Sequence, residues 1–167
     1  FIFPLIALIL VLLGNRLISP SFFSLRMVDG RLIGSLIDIL NRGAPTVLLA
    51  TGMTLVIATR GIDLSVGAVI AICGAFAAVL ISTTGLPPLL VILLSIGAGI
   101  ICGLWNGILV AYFNIQPIVA TLILMVVGRG IAQLITQGQI TTFNNDSLEY
   151  VGTGLLFGFP FPIFLSL

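Results

Sequence analysis

Residues 89–113 read LLVILLSIGAGIICGLWNGILVAYF, and this run decides the fold class. It holds no Asp, Glu, Lys or Arg. A helix needs about 20 largely apolar residues to cross the hydrocarbon of a bilayer. The 25 residues here are enough to span with some tilt. On the N-terminal side, residues 83–88 (TTGLPP) break the chain, because paired prolines cannot continue a helix. On the other side, residues 114–117 (NIQP) form a second tight turn. Beyond these turns lie further apolar runs at 64–82 and 118–136. Residues 60–63 (RGID) make a hairpin turn, preceded by an apolar run at 44–59 whose polar first turns would be residues 38–42. A first run occupies 1–18, and another begins at 155 and stops at 167.

The expected architecture is therefore all-α, a polytopic transmembrane helix bundle with five complete spans and a truncated sixth. An apolar opening and a close in mid-run also read as part of a longer chain. Between the first two runs lies a mixed stretch, 19–42, with Arg26, Asp29, Arg31, Asp38 and Arg42. Within it Leu32, Ile33, Leu36, Ile37 and Leu40 recur at helical spacing and predict a short interfacial helix. Residues 137–154 are the most polar segment and read as an aqueous loop or surface helix.

Composition supports the same class and excludes others. The chain is 59% hydrophobic and 7% charged, with a mean hydropathy of +1.34. Soluble domains carry about 25% charged residues. A net charge of +1 gives no electrostatic footprint for nucleic acid. There is no Lys, so the phosphate-binding pattern GxxxxGK[ST] cannot occur here. His is absent, and all five carboxylates fall in loops or at helix ends, leaving no relay for a proton-driven carrier. No nucleophile–base pair suggests catalysis and no ligand set suggests a metal. Cys73 and Cys102 sit in apolar runs and read as small packing residues.

Lipid gives helices no hydrophobic reason to associate, so close backbone approach has to supply the attraction. Ser95, Gly99, Gly103 and Gly107 follow one another at four-residue intervals and predict a groove for another helix, within the bundle or at a dimer face. Gly67, Ala71 and Ala75, flanked by Gly74 and Ala78, form a similar stripe on the preceding run. Polar groups inside a membrane are expensive and face a pathway or one another. Arg129, Gln133 and Thr136, extended by Gln137, make one polar stripe: either it is the wall of a translocation path, or Arg129 snorkels or closes an ion pair with a neighbouring helix. Asn106 is the other buried amide candidate, for an interhelical hydrogen bond or a ligand. Asp63 stands where the third helix begins and reads as its N-cap.

The block ILNRGAPTVLLATGMTLVIATRGIDLSVGAVIAI at 39–72, and above all GIDLSVG at 61–67, resembles the permease subunits of bacterial ABC importers for monosaccharides of the ribose and galactofuranose type. WNGILVA at 105–111 and IQPIVATLILMVVGRGIAQLITQGQ at 115–139 resemble the same family, and TFN at 142–144 its galactofuranose members. The motif turn comprises Arg60, Gly61, Asp63, Ser65 and Gly67, with one departure: Arg60 stands where the family would place Gly or another small residue. The resemblance implies that residues 1–167 are the N-terminal half of one transmembrane permease domain in the bacterial inner membrane, without enzymatic activity of its own. It implies a second permease copy, a periplasmic sugar-binding protein, and a cytoplasmic ATPase with two nucleotide-binding domains that uses ATP and Mg. Alternating access would move the sugar.

Orientation carries a conflict. Four arginines (Arg16, Arg26, Arg31, Arg42) against Arg60 would place the first loop in the cytoplasm. The resemblance implies a cytoplasmic N-terminus instead, with the 137–154 loop outside. Two other functions fit the residues alone: a passive facilitator or secondary carrier for a small polar solute, and a membrane anchor for an enzyme complex.

Overall fold

The computed structural model describes residues 2–19, 21–28, 31–142, 155–156 and 159–160. The chain divides into two compact units, Phe1–Ala50 with Glu149–Leu167, and Thr51–Leu148.

In the first unit, α1 (Ile2–Ile18) is apolar up to Gly14 and carries Asn15 and Arg16 near its end. Two short strands follow, β1 (Arg26–Val28) and β2 (Arg31–Ile33), paired antiparallel with Arg26 opposite Ile33 and Val28 opposite Arg31. The interfacial helix expected over Leu32 to Leu40 is corrected here. Its first residues belong to a hairpin, and helix begins only at Ser35, as α2 (Ser35–Ala58). Gly34 makes this change of direction possible, because a Cβ there would lie 2.7 Å from the Ser24 carbonyl oxygen. Once started, α2 runs straight through Pro45, which forgoes the hydrogen bond to the carbonyl one turn back. The second helix thus starts well before the expected residue 44 and takes Asp38 into its first turn.

Most of residues 155–167 lie outside the described residues. Those that are described, β3 (Leu155–Leu156) and β4 (Phe159–Pro160), pair antiparallel instead of opening a sixth helix. Pro160 disfavours helix at the residue before it, Phe159. The all-α expectation therefore holds for the bundle but not for these two ribbons.

The second unit carries three helices long and apolar enough to cross a membrane: α3 (Val66–Thr84), α4 (Pro88–Ala111) and α5 (Pro117–Ile135). Proline begins two of them, Pro88 and Pro117 at the first helical position, where the missing N–H is not needed. Gly85, left-handed at φ 59°, closes α3. α3 packs against both neighbours. Its start lies beside the start of α5, where Thr121 meets Ile62, and beside the end of α4, where Ser65 meets Asn106. Hence α3 and α5 run parallel, and α4 runs antiparallel to them. Among the described residues of this unit, Ala68 and Ile72 of α3, Val91 of α4 and Ala120, Leu124 and Ala132 of α5 are the buried hydrophobic ones.

Candidate functional site

The turn from α2 into α3 is built by two devices. The last turn of α2 closes with the N–H of Gly61 on the Val56 carbonyl (3.0 Å) and that of Arg60 on the Ile57 carbonyl (2.9 Å). This paired closure needs a left-handed residue just past the helix, ordinarily glycine. Here it is Arg60, at φ 59°. The position where a small residue was expected is thus one whose backbone favours glycine. Gly61 follows because a side chain would meet the Val56 carbonyl oxygen and Cγ1, each at 3.2 Å.

The second device is polar. Asp63 Oδ1 accepts from the Ser65 N–H (2.7 Å) and from the Ser65 hydroxyl (2.6 Å). The N-cap expected of Asp63 is therefore corrected. Ser65 is the capping residue, its carbonyl accepting from Ala68 and Val69, and Asp63 holds Ser65 in place. With the hydroxyl proton committed to Asp63, the Ser65 oxygen is free to accept, and Asn106 Nδ2 donates to it at 3.1 Å. Ser65 and Asn106 are both buried, at 1% and 8% exposure. That arrangement fixes the amide, and Asn106 Oδ1 is left buried with no hydrogen-bond partner among the described residues. Thr121 ties α5 to the same turn: its hydroxyl lies 2.9 Å from the Pro117 carbonyl oxygen and 3.3 Å from that of Ile62.

Further along, α3 and α5 approach through a row at four-residue spacing, Ala120, Leu124, Gly128 and Ala132. Gly128 is a close approach, for a Cβ there would fall 3.0 Å from the Ala68 Cβ and 3.2 Å from Ile72 Cδ1. Past this contact an open groove of about 440 Å³ lies between the two helices. One wall is Ala71, Gly74, Ala75 and Ala78 of α3, and the other is Arg129, Ala132, Gln133 and Thr136, with Thr141 beyond. The polar stripe read from the sequence thus comes together on one groove opposite a surface of very small side chains. Arg129 and Gln133 are exposed to it. Asn106 belongs to the Ser65 network, on the other side of the close contact, and does not join this groove. Gly67, the last residue of the motif turn, is exposed with open space around it.

The expected small-residue stripe on α4 divides in the same way. Gly99 is engaged, since a Cβ there would lie 3.2 Å from Cys73 Sγ. Gly103 and Gly107 have nothing within 4 Å and line an apolar depression of about 430 Å³ with Ile100, Leu104, Ile108, Ala111 and Tyr112. Among the described residues no three of His, Cys, Asp and Glu come together as metal ligands.

Sequence reading expected an interhelical hydrogen bond from Asn106, and missed Gly128 and the pairing of Asn106 with Ser65. The first had a signal, the smallest residue in the middle of a four-residue periodicity. The second joins residues 41 apart and had none.

Apolar helices of membrane length, packed through Gly and Ala and bordering a groove with a polar wall, define an α-helical integral membrane protein. Residues 35–166 match the family described as "branched-chain amino acid transport system / permease component", and the chain belongs to that family. It is 60% identical over 163 residues to the galactofuranose transporter permease protein of Escherichia coli (strain K12), covering 97% of this chain and 47% of that protein. It is 39% identical to the fructose import permease protein FruF of Bifidobacterium longum, over 93% of this chain and 45% of the relative. To the ribose import permease protein of Haemophilus influenzae it is 38% identical, over 96% and 48%. These relatives bear out the resemblance carried by GIDLSVG. The chain spans about half the length of the curated relatives it matches. No solved structure matches it.

Proposed function

We propose that this chain forms part of the membrane-spanning permease subunit of an ATP-driven sugar importer in the bacterial inner membrane, with the α3–α5 groove as a wall of the translocation path. The observation that carries this reading is the groove itself. A neutral sugar has an apolar C–H face and a hydroxyl edge, and the groove offers Ala and Gly on one side and Arg129, Gln133 and Thr136 on the other. Side-chain amides, hydroxyls and a guanidinium suit hydroxyl recognition without a titrating group. Relatives named for galactofuranose, fructose and ribose support a monosaccharide as cargo, with galactofuranose first to be tried.

The reading brings its partners with it: a cytoplasmic ATPase consuming ATP and Mg, a periplasmic sugar-binding protein, and a second permease copy, identical or related. Transport would proceed by alternating access, the ATPase closing one side of the path as the other opens. The test is reconstitution of the full-length permease with its ATPase in liposomes. Sugar-loaded binding protein should stimulate ATP hydrolysis and uptake. No stimulation by any pentose or hexose refutes the importer, and sugar flux without ATP would make the protein a facilitator. Gln133→Leu should lower uptake several-fold while basal hydrolysis is unchanged; full uptake would remove Gln133 from the path.

A further inference from the structure

We propose that Arg129 sets the charge selectivity of the α3–α5 groove, as a fixed positive charge that turns cations away while neutral solutes pass. The inference rests on the reading of that groove as part of the path and adds the reason for its one ion. Three observations carry it.

The first is economy of charge. Across α3, α4 and α5 the helical sequences contain no Asp, Glu or Lys, and Arg129 is their only Arg. An ion within a membrane span is costly and is retained for a use. The second is placement. Arg129 is exposed on the groove, six residues before the end of α5 at Ile135, or about 9 Å of helix rise inside it. The third is its company. The other described groove residues, on α3 and at the end of α5, are all neutral, so among the described residues nothing in the groove cancels the charge.

A guanidinium is always charged and presents its donors in a planar fork. It can donate to hydroxyls, but it has no acceptor to offer a hydrated cation. A solute that runs along the walls of this open groove passes close to it. At a separation of about 6 Å and an effective dielectric near 20, a unit cation is disfavoured roughly 100-fold. Pores elsewhere use a lone Arg as an electrostatic barrier to protons and cations. Here the barrier would matter because an importer that opens a polar path through an energised membrane must not let protons follow the sugar.

The test uses the full-length permease with its ATPase in liposomes loaded with a pH-sensitive dye. Arg129→Gln should raise proton leak during turnover about 10-fold or more, and Arg129→Lys should keep it near wild type. Unchanged leak in a well-assembled Arg129→Gln complex overturns the proposal. A second measurement leaves Arg129 in place and so does not depend on that variant folding. In a background without native cysteines, Ala78→Cys is labelled by anionic and cationic methanethiosulfonates of similar size. The anionic reagent should be favoured about 10-fold over its ratio with a free thiol, and an unshifted ratio overturns the proposal. Protection by sugar separates the two readings. Protection with an unshifted ratio keeps the path and removes the barrier. A shifted ratio without protection, together with normal uptake by Gln133→Leu, keeps the charged groove and removes the path.

Discussion

Two glycines two residues apart on α5 should respond oppositely to the same substitution. A Cβ at Gly128 would lie 3.0 Å from the Ala68 Cβ and 3.2 Å from Ile72 Cδ1. Carbon atoms rest at about 3.5–4.0 Å, so Gly128→Ala must part α3 and α5 by roughly 0.5–1 Å. The displaced contacts belong to the buried row between α3 and α5, and overpacking of this kind costs about 1–3 kcal/mol. At Gly130 nothing lies within 4 Å of the added atom. Both substitutions gain the helix preference of Ala over Gly, up to about 1 kcal/mol. That gain cancels in the comparison, leaving Gly128→Ala less stable than Gly130→Ala by about 1–3 kcal/mol. Reversible unfolding of the full-length protein in detergent by SDS titration reads the difference directly. Equal stabilities, or Gly130→Ala as the weaker protein, would refute the claim that α3 and α5 meet at Gly128.

Other outcomes follow from the turn and its network. Arg60→Gly removes a left-handed non-glycine residue from the end of α2 and should stabilise by about 1 kcal/mol in the same titration; a loss would mean that the Arg60 side chain holds the turn. Ser65→Ala leaves the Asn106 amide without its acceptor and should cost about 1–3 kcal/mol. Adding Asn106→Leu should recover much of that loss, since both partners are then apolar, and additive losses would deny the bond.

What could be read from the sequence, and what could not, divides along the range of the interactions. The ends of α3, α4 and α5 were legible because Pro88, Pro117 and Gly85 act on their own backbone. The polar stripe of Arg129, Gln133 and Thr136 was legible because one helix sets its spacing. The start of α2 was misread because apolar residues at 32–40 satisfy helical periodicity, while Leu32 and Ile33 belong to a strand and Gly34 separates it from the helix. Asp63 was given the commoner task of capping, when its carboxylate is engaged by Ser65 two residues on. Gly99, Gly103 and Gly107 look alike in sequence, and only the neighbour at Cys73 distinguishes the first. The Ser65–Asn106 bond depends on how two helices dock, which no local pattern encodes.

The 3.0 Å approach at Gly128 also has a mechanical meaning. Two parallel helices packed along one row can rock about a close contact in it more easily than they can separate. Gly128 is then a fulcrum, with the Asp63–Ser65–Asn106 network on one arm and the groove on the other. Thr136 lies eight residues beyond, about 12 Å along the helix, so a rocking of about 5° shifts the groove walls by about 1 Å. Motions applied at the turn after α2 would thus be passed, at about equal size, to the Thr136 end of the groove.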